Sequence, residues 1–176
     1  NGTKSKSLAL GLRIDSITLT SSSRLKVIGL VWIKKLPPQD EHQTAKAINL
    51  NEVTLEFPHA EKVELTAYVA DDSSTTQRFS MELDFPLSAA IYPFERGQIS
   101  IRITTAGYRN PYLLVPDLSA YGMMNPVTKP GLSENLELSG WTIFNSHFSY
   151  QPWLNTTKFT QGDALYDGEL NELYFN

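Results

Sequence analysis

Apolar residues recur at every second position along most of this chain. Leu8, Leu10, Leu12 and Ile14 begin the pattern, and Val53 to Phe57, Val63 to Val69, Phe79 to Phe85 and Ile99 to Ile103 repeat it. Successive strand side chains point to opposite faces, so a two-residue period gathers each set on one face of a ribbon. A helix needs apolar positions three and four apart, a spacing that hardly occurs here. Several such runs separated by turn residues predict an all-β fold, an antiparallel β-sandwich of immunoglobulin-like type.

Interruptions in the pattern carry information too. Ile17 and Leu19 resume the first run out of phase, which predicts a bulge after Ile14. Leu25 to Ile33 is apolar on both faces and predicts a strand covered on both sides, until Pro37-Pro38 stops it. A short helical turn is expected around Thr44 to Ile48. The short polar residues from Asp71 to Thr76 predict a turn that bonds its own backbone. Further strands are expected over Tyr112 to Val115, and over Leu138 to Tyr150 and Leu170 to Phe175, the last two as a hairpin with a long polar and aromatic tip. Pro116 to Asn135 reads as loop. The 176 residues predict one domain over 1–176, with residues 1–7 a flexible start.

Composition excludes several function classes. The 15 Lys and Arg against 19 Asp and Glu leave a formal charge of -4, with the cations scattered, so no footprint for nucleic acid exists. Without cysteine there are no disulfides, thiolate metal sites or cysteine nucleophiles. The three histidines, His42, His59 and His147, read as lone residues without a sequence neighbour at catalytic or metal-ligand spacing. Nucleophile elbows, phosphate loops and dinucleotide fingerprints do not occur. Paired carboxylates such as Asp71-Asp72 and Asp40-Glu41 read as turn residues. The expectation is a non-enzymatic protein with no metal and no cofactor. No run of about 18 apolar residues occurs. The polar start Asn1-Gly2-Thr3-Lys4 and the apolar ending Leu170 to Phe175 lead to the expectation of a piece cut from a longer chain just before a membrane segment.

Three motifs in order carry a resemblance. Gly11-x-x-Ile14-x-x-Ile17 precedes a polar turn and Leu25-Lys26-Val27; the turn Tyr92-Pro93-Phe94-Glu95, with Gln98 close behind, separates the Phe79 and Ile99 runs; Leu138-Ser139-Gly140-Trp141-Thr142-Ile143 leads to Phe148. This succession resembles the extracellular domains of pentameric ligand-gated ion channels over most of residues 8 to 176. Glu95 stands where that family usually has Asp, its Trp-x-Pro-Asp segment is missing, and its paired cysteines are absent, which points to a prokaryotic or divergent channel-like member.

The resemblance implies a ligand-sensing domain, extracellular or periplasmic, of a membrane-anchored protein. Its partners would be a small-molecule ligand, an amine or an aromatic, its own membrane domain after residue 176, and four further copies in a pentamer of the full-length protein. Isolated, the domain is expected to associate only weakly. Carried over position by position, Tyr108, Arg109, Tyr150, Trp153 and Phe159 form the principal side of the ligand site. Trp32, Lys34, Arg102 and Tyr121 form the complementary side, with Asp117 and Met124 beside them. Tyr92, Pro93, Phe94 and Glu95 form the membrane-coupling turn. Aromatic faces attract organic cations, which suits an amine. Two other classes fit the same sandwich: a non-channel periplasmic sensor or subunit-assembly module, and a carbohydrate-binding or adhesive module presenting Trp153 and Tyr166.

Overall fold

In the computed structural model, residues 7–36, 48–85, 97–106, 112–122, 129–136, 138, 140–154 and 169–176 are described, with 151–154 and 169–172 described by backbone alone. The first alternating run becomes β1 (Ser7–Ser21), which turns at Ser22-Ser23 into β2 (Arg24–Lys35) as a long antiparallel hairpin. β4 (Ala60–Ala70) and β5 (Ser74–Asp84) extend the sheet beside β2, and β7 (Leu113–Pro116) closes it beside β1, in the order β4-β5-β2-β1-β7. The second sheet runs β3 (Leu55–Glu56), β6 (Ile101–Thr105), β9 (Glu169–Phe175), β8 (Phe148–Leu154) in the order β3-β6-β9-β8.

The core lies between the two sheets, and it consists of the alternating residues. Leu8, Leu10, Leu12, Leu25, Val27, Val31, Phe79 and Met81 from the first sheet are buried with Ile101, Ile103, Leu173 and Phe175 from the second. Burying a side chain of this size contributes roughly 1.5 to 3 kcal/mol, so the interleaved faces dominate the stabilisation of the fold. The bulge expected after Ile14 is present, since the pairing passes from Ile14 opposite Gly29 to Ser16 opposite Ile28, and Asp15 is left over. The expected turn is present as well. Asp71 Oδ1 accepts from the backbone N–H groups of Ser73 and Ser74, both at 2.7 Å, and closes the hairpin between β4 and β5.

The expected all-β sandwich is present, with antiparallel strand pairs except that β7 runs parallel to β1 from Ser7 opposite Leu113 to Leu10 opposite Pro116. Other expectations need correcting. The late strand begins at Phe148, not Leu138. Leu138 to Trp141 is instead a tight turn joined by a backbone bond of 2.9 Å, with Gly140 at a φ of 80°, a conformation open to glycine at little steric cost. Trp141 is half-buried and packs edge-on to the buried Phe85 with ring centroids 5.5 Å apart. Only one face of β2 is fully buried; Ile28, Leu30 and Trp32 on the other are partly covered. The Val53 to Phe57 run holds only a two-residue strand, Leu55–Glu56, and a 3-10 turn, Leu50–Glu52, precedes it. The run over β4 forms a strand, yet Val63, Ala67 and Val69 are exposed. The helical turn expected from Thr44 lies mostly outside the described residues, as does the Tyr92 turn.

Candidate functional site

The polar centre of the described structure is Asp117, which follows β7 and is only 6% exposed. A buried carboxylate needs partners, and this one has three. Trp32 Nε1 donates to Oδ2 at 2.9 Å, the Lys34 ammonium approaches Oδ2 at 2.7 Å, and Ser119 Oγ donates to Oδ1 at 2.7 Å. Burial, the largest single influence on Asp117, favours its neutral form. The hydrogen bonds from Lys34, Ser119 and Trp32, with the charge of Lys34, together outweigh it and hold the carboxyl below its ordinary range. Trp32 and Lys34 reach Asp117 because both belong to the outward set of β2, two residues apart. The indole lies across Gly11 of β1, where an added Cβ would stand 2.3 Å from the ring. Tyr121 covers the indole at 5.9 Å between ring centroids and meets Phe148 at the same separation.

Tyr121 has a second task. β7 accompanies β1 only as far as Leu10, and beyond it the backbone edge of β1 is met by other groups. Asp117 N–H donates to Leu10 O at 2.7 Å, and further along Ile14 N–H donates to Gly131 O at 2.7 Å. Between them the Tyr121 hydroxyl accepts from Leu12 N–H at 2.7 Å and donates to Leu12 O at 2.8 Å, replacing a missing strand with one phenol. Burial pushes this hydroxyl up to about 12, so it stays protonated and able to donate at any physiological pH. Tyr121→Phe keeps the ring contacts and removes both bonds. The expected loss is about 1 to 2 kcal/mol, within the range for orphaned backbone groups, read from urea unfolding at constant slope.

A second polar junction lies at Asn176, directly after β9. Its Oδ1 accepts from Ser100 Oγ at 2.6 Å and Gln98 Nε2 at 3.1 Å, while its Nδ2 donates to Ser149 Oγ at 2.7 Å. Its backbone exchanges two bonds of 2.9 Å with His147. One carboxamide therefore ties together the end of β9, the start of β8 and the segment that opens β6. Nearby, Gly97 lies so close to the Phe85 ring that an added Cβ would stand 2.2 Å from it.

Among the residues expected to form a ligand site, the structure brings Trp32, Lys34 and Tyr121 together around Asp117, and there the polar groups of all three are engaged within the chain. Tyr150 is 44% exposed, and its hydroxyl donates to Leu114 O at 2.9 Å, linking β8 to β7 across the two sheets. Arg102 lies apart on β6, with Nη1 3.3 Å from His59 Nε2 and its backbone opposite Tyr174. Trp153 is placed by its backbone opposite Leu170 in the hairpin of β8 and β9. Tyr108, Arg109, Met124, Phe159 and Tyr166 lie outside the described residues, as do Tyr92, Pro93, Phe94 and Glu95. An open concavity of about 680 Å3 sits elsewhere, floored by Leu132, Leu136, Trp141 and Ile143 and rimmed by Lys129 and Glu134. Sequence reasoning missed Asn176 and Ser149, whose polar side chains carry no local signal. It missed Ser119 as well, although Asp followed two residues later by Ser is a turn pattern in which the hydroxyl meets the carboxylate.

Among the described residues no group of three or more His, Asp or Glu is placed to hold a metal ion, and no helix is long and apolar enough to cross a membrane. No protein-family model matches the chain, and no curated protein matches it.

Proposed function

We propose that this β-sandwich is the ligand-sensing extracellular or periplasmic domain of a bacterial pentameric channel-like membrane protein, and that it performs no catalysis. The observation that carries the reading is the Asn176 junction. In a protein whose membrane domain follows residue 176, a ligand held between subunits would act on the hairpin of β8 and β9, and movement of that hairpin would pull on Asn176. Through Oδ1 the same carboxamide holds Gln98 and Ser100, on the segment that follows residues 92–94 in sequence. Hydrogen bonds of this kind contribute about 1 kcal/mol each, enough in combination to add to the coupling that the pairing of β6 with β9 already provides.

The test uses the full-length protein in detergent and in a planar bilayer. The expected result is a pentameric mass and an amine-evoked current that Asn176→Ala weakens without lowering ligand affinity of the full-length protein. A monomeric or dimeric full-length protein would sink the proposal. One observation favours a second reading, that of a sensor or assembly module without a pore: the Trp32 N–H and the Lys34 ammonium are already given to Asp117, so a ligand on that side would have to displace bonds within the chain. A pentamer of the same mass without current under any amine would decide for it.

A further inference from the structure

Unpaired strand edges invite other strands, and proteins usually blunt them. Three of the four edges described here are blunted. β3 has only two residues; β7 ends in Pro116 and gives its Leu114 carbonyl to Tyr150; β8 carries Pro152, which lacks an N–H. β4 differs. It is 11 residues long, pairs among the described residues with β5 along one side only, and has every side chain exposed except the half-buried Ala60 and Leu65. Its first half is defended by Glu61, Glu64 and a Lys62 held at a φ of 48°, a conformation that breaks the pairing register there. Its second half, Leu65 to Ala70, holds no charge, no Pro and no Gly. The register shift at Tyr68 turns that ring outward, and Tyr68 and Val69 are 64% and 55% exposed.

We infer that the β4 edge binds a second copy of this chain, β4 against β4 in antiparallel pairing about a two-fold axis near Ala67. The occupant follows from the other edges. Among the described edges of a second copy only β4 is left open, so the contact that matches edge to edge is β4 against β4, and such an isologous contact closes at two chains instead of growing into a fibre. Charge agrees with this arrangement. Centred on Ala67, the pairing sets Leu65 opposite Val69, Glu64 opposite Ala70, and Lys62 opposite Asp72 at both ends, with no like charges face to face. The exposed Lys62 already pairs with Glu82 at 2.8 Å, an attachment weak enough to be shared. Two five-stranded sheets become one of ten strands. The inference does not rest on the channel reading, and in a pentamer a two-fold contact of this kind would link separate rings.

Sedimentation velocity on the 176-residue chain from micromolar to submillimolar concentration tests it, together with hydrogen exchange. A monomer–dimer equilibrium is expected, with protection of the 64–70 amides rising as dimer forms. Val69→Lys, at an exposed position, should raise the dissociation constant at least about tenfold while the melting temperature holds. Lys62→Asp should weaken the dimer, and adding Asp72→Lys should restore it. A chain that stays monomeric throughout overturns the inference; so does a dimer indifferent to Val69→Lys, or one whose 64–70 amides gain no protection. Failure of the charge exchange to restore the dimer overturns the register centred on Ala67.

Discussion

Gly29→Ala is expected to destabilise the domain by about 3 kcal/mol or more, although it adds a single methyl group. Gly29 faces Ile14 at the point where β1 bulges around Asp15, and the bulge carries the Arg13 carbonyl over the glycine. A Cβ built there would lie 2.1 Å from that oxygen and 2.9 Å from the Phe79 ring. Backbone cannot swing aside as a flexible side chain does, and Phe79 is 1% exposed in the middle of the core. Overpacking a well-packed core typically costs about 1 to 3 kcal/mol, and a clash with main chain belongs at or beyond the top of that range. For a domain of this size the melting temperature should fall by roughly 6 to 12 °C. Gly140→Ala is the control. Nothing lies within 4 Å of its added Cβ, so only the φ of 80° opposes the change, and the cost should stay near 1 kcal/mol. If both variants melt within a degree or two of the parent, the bulge is not held as described.

The bulge shows why some features of this fold were legible and others were not. A change of phase between Ile14 and Ile17 is local, so it can be read without knowing what pairs with β1. Alternation states which residues share a face; it does not state what covers that face. The apolar set Val63, Ala67 and Val69 therefore read like the set Phe79, Met81 and Leu83, yet β4 stands at the sheet edge and its set is exposed. Leu138 to Ile143 failed for a different reason. Ser139-Gly140 is a turn signal embedded in an apolar run, and the run outweighed it. At the site, Trp32, Lys34, Asp117 and Tyr121 stand together, while Arg102, expected beside them, lies apart on β6. Their bonds to one another and to Leu12 depend on pairings 85 and 109 residues apart in sequence, which no local pattern records. The junction of Gln98 with Asn176 is of the same kind, since nothing in either residue's surroundings points to the other.

Asp117→Ala should cost about 2 to 3 kcal/mol at neutral pH and should also flatten the acid limb of the stability profile. Removing the carboxylate leaves the Trp32 indole N–H without its acceptor in a place largely closed to water, a loss in the range of about 1 to 3 kcal/mol for an orphaned buried donor. Lys34 adds little, because its side chain is 44% exposed and its ammonium can turn to solvent. Asp117→Asn separates the two contributions: the amide oxygen still accepts from Trp32, while the charge is gone. The folded carboxyl sits below its ordinary value of about 3.9, so its contribution is complete above that pH and is lost as pH falls through the folded value. Wild type should therefore lose more stability between pH 5 and pH 2.5, both round working values, than Asp117→Asn does. Some decline will persist in the variant, because hydrogen bonds from Ser73 and Ser74 hold Asp71 down to about 2 and it titrates in the same direction. Urea unfolding at both pH values for the parent, Asp117→Ala, Asp117→Asn, Trp32→Phe and the double variant Asp117→Ala with Trp32→Phe completes a cycle in which Trp32 and Asp117 should couple. Additive losses from Asp117→Ala and Trp32→Phe, or an Asp117→Asn profile parallel to that of the parent, would show that this carboxylate is solvated and holds nothing.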